Sequence, residues 1–70
     1  MKKHSSHLTF ERALKMLKDK EVSSIRLYSW GWEERIKIKN NKLVHDFDEN
    51  EHAGILGWEL LSERWEAWME

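Results

Sequence analysis

The sequence predicts a small α+β protein: an N-terminal helix packed on a small antiparallel sheet, with a short helix before the last strand. Three observations predict this class. An apolar stripe with helical spacing comes early, apolar and polar residues alternate in the middle of the chain, and a second alternating stretch ends it. With 70 residues and no cysteine, the chain has room for one small core that disulfides cannot reinforce.

The first predicted element is an amphipathic helix over about residues 9–19. Its apolar positions follow the i, i+3, i+4, i+7 spacing of one helix face: Phe10, Ala13, Leu14 and Leu17. Thr9 is expected to cap its start, and Lys18 suits the negative end of the helix dipole. The polar segment 1–7 is expected to be a flexible N-terminus, and residues 8–70 to form a single domain.

A strand is predicted within the stretch SSIRLYSW, residues 23–30. Ile25 and Leu27 would point to one face, because side chains alternate along a strand. The other face would carry Arg26, Tyr28 and Trp30. If the extended backbone continued through Gly31, Trp32 would join that second face.

A hairpin follows, with Asn40 and Asn41 as its two-residue turn, because asparagine tolerates the positive φ of a type I′ turn. The predicted register places Arg35 opposite Asp46 on the outer face. The same register gives three further pairs: Ile36 with His45, Ile38 with Leu43, and Lys39 with Lys42.

The C-terminal region is predicted to form a short helix around Glu59–Glu63 and then a strand. Trp65, Ala67 and Met69 would share one strand face, with Glu66 and Trp68 on the other. A single longer helix from Gly57 is the competing interpretation.

Composition disfavours several function classes. The net charge is −1 with both signs interspersed, which gives no basic footprint for nucleic acid. No apolar run approaches the roughly 20 residues of a membrane span. Asp46, Asp48 and Asn50 match the start of a calcium loop, but the later positions do not follow it. No catalytic or phosphate-binding motif is present. We therefore expect no enzyme, metal or cofactor.

The aromatic residues around Gly31 are the main candidates for a site. Trp30 and Trp32, with Arg26 and Tyr28, would suit a ligand that has a stackable base and anionic groups. The same residues suit a protein interface, where Trp, Tyr and Arg are common anchors. They could equally form a second apolar layer of the core.

The ordered set of motifs resembles the Thoeris anti-defence type 2 family of small phage and prophage proteins. The similar pieces are LTFERALKMLKDK (8–20), IRLYSW (25–30), the IKI and KLV strands of the hairpin, and ELLSERWEAW (59–68). They cover nearly the whole chain in the family's order. Arg64 departs from the pattern, which has an acid before that tryptophan.

The resemblance implies a non-enzymatic protein that forms dimers or tetramers in the cytoplasm of an infected bacterial host. Its function would be to bind and sequester a cyclic ADP-ribose-like immune signal without degrading it. Pockets of the family lie between protomers, which makes Trp30, Trp32, Glu63 and Arg64 ligand-binding candidates. Either Arg26 or Arg64 would contact the pyrophosphate.

Two alternatives use the same fold. In one, the chain inhibits a bacterial defence protein directly, with Tyr28, Trp30 and Trp32 as interface anchors. In the other, the tryptophans build only a core and an oligomer interface.

Overall fold

A five-stranded antiparallel sheet forms the frame of the protein in a computed structural model that describes residues 2–31, 34–49 and 52–69. The elements are β1 (Lys2–Leu8), α1 (Phe10–Lys18), β2 (Ser24–Leu27), β3 (Ile36–Lys39), β4 (Lys42–His45), α2 (Gly57–Leu60) and β5 (Trp65–Met69). The strand order across the sheet is β1-β5-β2-β3-β4. The predicted α+β class, with a helix on an antiparallel sheet and a short helix before the last strand, is confirmed.

Helix α1 agrees closely with its predicted bounds. The Thr9 hydroxyl accepts a hydrogen bond from the Arg12 amide at 3.2 Å, so Thr9 caps the helix. Ala13 and Leu17 are buried on the face that packs on the sheet. The apolar stripe therefore places α1 on the core because burying it removes apolar surface from water.

The C-terminal end of α1 is closed by a Schellman motif with an unusual residue at its centre. The Lys20 amide donates to the Leu17 carbonyl at 3.2 Å, and the Glu21 amide donates to the Met16 carbonyl at 2.9 Å. Lys20 adopts the left-handed conformation, with φ 61°, where glycine is usual. A lysine at this position carries a steric cost that glycine would not.

The N-terminal segment differs from its prediction. Residues 1–7 are predicted to be flexible, whereas Lys2–Leu8 forms strand β1, paired antiparallel with β5. The pairing is irregular, and His7 has a φ of 57°. The segment contains no alternation of apolar residues that would reveal a strand. It pairs because the edge of β5 presents backbone groups that need hydrogen-bond partners.

The hairpin of β3 and β4 has the predicted turn and register. Asn40 and Asn41 have φ values of 54° and 64°, as a type I′ turn requires. All the strand pairs predicted for it are observed: Ile36 with His45, Ile38 with Leu43, and Lys39 with Lys42. Arg35 and Asp46 form the predicted ion pair at 3.0 Å.

The C-terminal region consists of the short helix and the strand. α2 spans Gly57–Leu60, so it starts two residues and ends three residues earlier than predicted, and β5 follows at Trp65–Met69. The competing single helix is therefore wrong. Trp65 and Ala67 pair with Leu27 and Ile25 of β2, and these residues form the buried centre of the sheet under α1.

Candidate functional site

Trp30 lies beyond the end of β2 and packs on the core. β2 ends at Leu27, and the Trp30 amide donates to the Leu27 carbonyl across a turn at 3.0 Å. The Trp30 ring meets the Trp65 ring edge-on, with 5.1 Å between centroids. Since Trp65 pairs with Leu27, Trp30 packs on the core face. The prediction that Trp30 ends the strand and shares a strand face with Arg26 and Tyr28 is therefore wrong.

A buried glutamate holds Trp30 in this position. The Trp30 indole N–H donates to Oε2 of Glu59 at 2.6 Å, and the Leu56 amide donates to Oε1 at 2.8 Å. The Glu59 carbonyl accepts a third hydrogen bond, from the Trp65 indole at 2.8 Å. Glu59 thus ties α2 to two tryptophans of the core. Sequence reasoning missed it, because a glutamate in a first helical turn is ordinarily exposed.

Arg26 serves a structural purpose on the opposite face of β2. Its Nε donates to Oε1 of Glu66 at 3.0 Å, and its Nη1 donates to the Trp30 carbonyl at 2.5 Å. The arginine and Glu66 are each only 8% exposed. Arg26 therefore fixes the backbone beyond β2 and neutralises a buried carboxylate. Its predicted contact with a ligand stays a prediction.

Glu66 is the centre of a charged cluster on this face. Lys3 lies 3.2 Å from its carboxylate and 5.5 Å from the centroid of the Trp68 ring. Burial opposes ionisation of Glu66, but hydrogen bonds from Arg26, Lys3 and Trp68 outweigh it. The pKa of this carboxyl consequently lies below its usual value.

Tyr28 and Arg64 form an accessible aromatic and cationic pair. The Arg64 guanidinium lies 5.0 Å from the centroid of the Tyr28 ring, a cation–π geometry. The Tyr28 amide also donates to the Arg64 carbonyl at 3.1 Å. Tyr28 is 51% exposed, and Glu63 is exposed next to Arg64. We call Tyr28 and Arg64 the stacked pair.

Within one chain, the predicted site residues that the structure describes divide into exposed residues and residues that hold the fold. Three lie on the surface in or beside the stacked pair: Tyr28, Glu63 and Arg64. Arg26 and Trp30 are used to hold the fold. Trp32 lies outside the described residues.

A small cavity next to Trp30 has acidic walls. Its volume is about 230 Å³, and its lining includes Trp30, Glu34, His45 and Glu59. Two carboxylates repel a phosphate and suit a hydrogen-bond donor or a cation. This cavity therefore does not match the predicted pyrophosphate contact.

Four exposed apolar residues cluster in and beside α2. Glu59 is buried, with 6% exposure, whereas Leu61, directly after the helix, is 84% exposed. The usual arrangement of apolar residues inside and polar residues outside is therefore inverted at this short helix, which we call the inverted polarity of α2. We call its exposed apolar residues the α2 surface: Leu56, Trp58, Leu60 and Leu61. The run ILGWELL gave no hint of this arrangement, since a helix of one turn has no repeating face.

Three basic residues in or beside the hairpin are paired with nearby acids: Arg35, Lys37 and Lys39. Lys37 lies 2.5 Å from Glu49, which also contacts Lys39. Asp46 contacts Arg35 and Lys37. Within the described residues there is no group of three or more histidines and acids that could hold a metal ion.

The fold and these surfaces define a small α+β protein with an accessible stacked pair and a large exposed apolar surface. No family model, curated protein or solved structure matches the chain. None of the described helices is long and apolar enough to span a membrane.

Proposed function

We propose that this chain is a non-enzymatic binding protein that inhibits a partner protein by covering it with the α2 surface. The inverted polarity of α2 carries this proposal. Four large apolar side chains are exposed within six residues, at 43 to 84%, and a cluster of this kind marks an interaction site in a soluble protein. Trp58, at 60% exposure, is the residue type most enriched among interface anchors.

Rigid support strengthens the α2 surface as an interface. Leu56 and Glu59 are joined by a hydrogen bond of 2.8 Å, and Glu59 is joined to Trp30 and Trp65. The backbone beneath the exposed side chains is therefore held before a partner arrives. Less conformational entropy is lost on binding when a surface is pre-organised.

The resemblance to the anti-defence family suggests the class of partner. A bacterial defence protein in the cytoplasm of the infected cell would be the target, most directly a TIR-domain protein or its effector. Covering the active surface of such a protein with α2 would stop the immune response without any chemical step.

A second candidate is sequestration of a cyclic ADP-ribose-like signal, which the stacked pair favours. An adenine could stack on Tyr28, a contact worth about 1–3 kcal/mol by analogy with base–aromatic stacking. Arg64 could form charge-assisted hydrogen bonds with the pyrophosphate. Sub-micromolar capture requires about −8 kcal/mol, so a homodimer or tetramer would have to supply further contacts.

One experiment separates the two candidates. The purified chain is added to a signal-activated defence effector, and the effector's activity is followed while the cyclic ADP-ribose signal is raised. Inhibition that persists at saturating signal supports a protein target. Inhibition that is overcome once signal exceeds protein supports sequestration, and heating the protein should then release the signal intact.

Two double variants serve as mutual controls. W58S with L61S removes the α2 surface, whereas Y28A with R64A removes the stacked pair. We expect the first to abolish inhibition and the second to retain it. The reverse result would overturn the α2 proposal in favour of the stacked pair, and a wild-type chain that does not inhibit would overturn both.

A further inference from the structure

An open cleft lies beside the C-terminal half of α1, and none of its described lining residues belongs to α2. Its volume is about 770 Å³, within the range of small-molecule sites. Among the described residues, Ile25 with Ile36 is the one register pair between β2 and β3. The hairpin therefore separates from β2 toward its Asn40–Asn41 turn, and the gap forms the cleft.

The interior of the cleft is aliphatic. Five apolar side chains line it: Leu14, Leu17, Val22, Ile38 and Met69. Among the described residues that line it there is no aromatic ring and no carboxylate. The walls therefore favour a flexible hydrocarbon and offer no ring on which a nucleotide base could stack.

The rim of the cleft is cationic. Lys18 and Lys20 line it, and both are exposed. The Schellman hydrogen bonds fix the backbone of Lys20 at this rim. The C-terminal end of a helix dipole disfavours an anion by a modest amount. Two ammonium groups at the same end outweigh this repulsion, and the Schellman hydrogen bonds already occupy the carbonyls of Met16 and Leu17.

We propose that this cleft binds a free single-chain aliphatic carboxylate, with its hydrocarbon against Leu14, Ile38 and Met69 and its head group between Lys18 and Lys20. Charge complementarity selects this occupant, because the described lining combines an aliphatic floor with two lysines and contains no acid. Each buried methylene adds to the affinity, so a chain of medium length gains more from the floor than from the rim. The site is independent of the α2 surface and of the stacked pair.

The test is an amide NMR titration of the full chain with dodecanoate, kept below the concentration at which it forms micelles. We expect saturable shifts in three segments that border the cleft: 14–23, 38–41 and the end of β5 at Met69. Butyrate, which has the head group and little hydrocarbon, should bind at least tenfold more weakly. Dodecanol, which has the hydrocarbon and no charge, should also bind at least tenfold more weakly.

Matched variants test the rim. K18Q with K20Q should weaken dodecanoate binding at least tenfold. R12Q with K15Q removes the same amount of charge at two α1 residues that are not among the described lining of the cleft, and should leave binding within twofold. Equal losses in both double variants would overturn the proposal, as would the absence of saturable shifts. Shifts of the same amides that depend on protein concentration alone would assign the cleft to a second copy of the chain and also overturn it.

Discussion

The carboxylate of Glu59 accepts a hydrogen bond of 2.6 Å from the indole N–H of Trp30, although 29 positions separate the two residues. This contact explains why a tryptophan stands directly before Gly31. Trp30 is the link that joins the chain beyond β2 to α2, and its ring packs edge-on against Trp65.

Replacement of Glu59 by glutamine should destabilise the fold. The carboxylate accepts from both Trp30 and Leu56, whereas a glutamine amide has one oxygen and would direct its NH₂ at the other N–H. We expect a loss of about 1–3 kcal/mol in the free energy of unfolding, measured by urea denaturation. E63Q, at an exposed position, is the control and should change stability by less than about 0.5 kcal/mol.

Replacing Arg26 alone should lower the free energy of unfolding more than replacing both Arg26 and Glu66, the two members of the buried ion pair. R26M leaves Glu66 buried with Lys3 as its remaining cation, so we expect a loss of about 3 kcal/mol, the lower end for a broken buried pair. R26M combined with E66L removes both charges and should recover part of that loss in the same urea experiment. A double variant no more stable than R26M would contradict this account.

Acid should destabilise the protein through Glu66. Because its folded-state pKa is lowered, the ionised form stabilises the fold above the unfolded-state pKa, and that stabilisation is lost as pH falls through the folded value. The free energy of unfolding should therefore decline as the pH falls below 4.5, the ordinary value.

The matched variants for this pH effect are E66Q and E49Q, followed by urea denaturation between neutral pH and pH 3. E66Q should flatten the decline. Hydrogen bonds from Lys37 and Lys39 lower the pKa of Glu49 further, to about 2, but this carboxylate is exposed and water screens its pairs. E49Q should consequently leave the decline nearly unchanged. An equal effect of both variants would show that burial of Glu66 does not decide the acid response.

Glycine at position 20 should stabilise the protein. Lys20 has a φ of 61°, which costs an L-residue roughly 1–2 kcal/mol and costs glycine little. The greater entropy of glycine in the unfolded chain offsets part of this gain, so we expect a net increase of about 0.5–1 kcal/mol in the free energy of unfolding for K20G in thermal or urea unfolding. K18G, in the last turn of α1, should instead destabilise the protein by about 1 kcal/mol. A loss of stability in K20G would contradict the assigned helix end.

The sequence by itself determined the elements whose causes are local. Helix α1 follows from the apolar spacing of Phe10, Ala13, Leu14 and Leu17 and from the Thr9 cap. The hairpin follows from Asn40 and Asn41, which accept positive φ, and from the alternation of Ile36 and Ile38. These signals are readable because each is decided by neighbours within a few positions along the chain.

Only the tertiary structure decided β1, the position of Trp30 and the polarity of α2. β1 forms because it pairs with the edge of β5. Trp30 packs inward because its indole binds Glu59 and its ring contacts Trp65. Leu61 is exposed because Glu59 occupies the inner position of α2. Each depends on partners far away in sequence, and no local spacing encodes which distant group will satisfy a backbone edge or an indole N–H. Those long-range contacts fix the direction in which the apolar residues of α2 point, and hence the surface that we propose binds a partner.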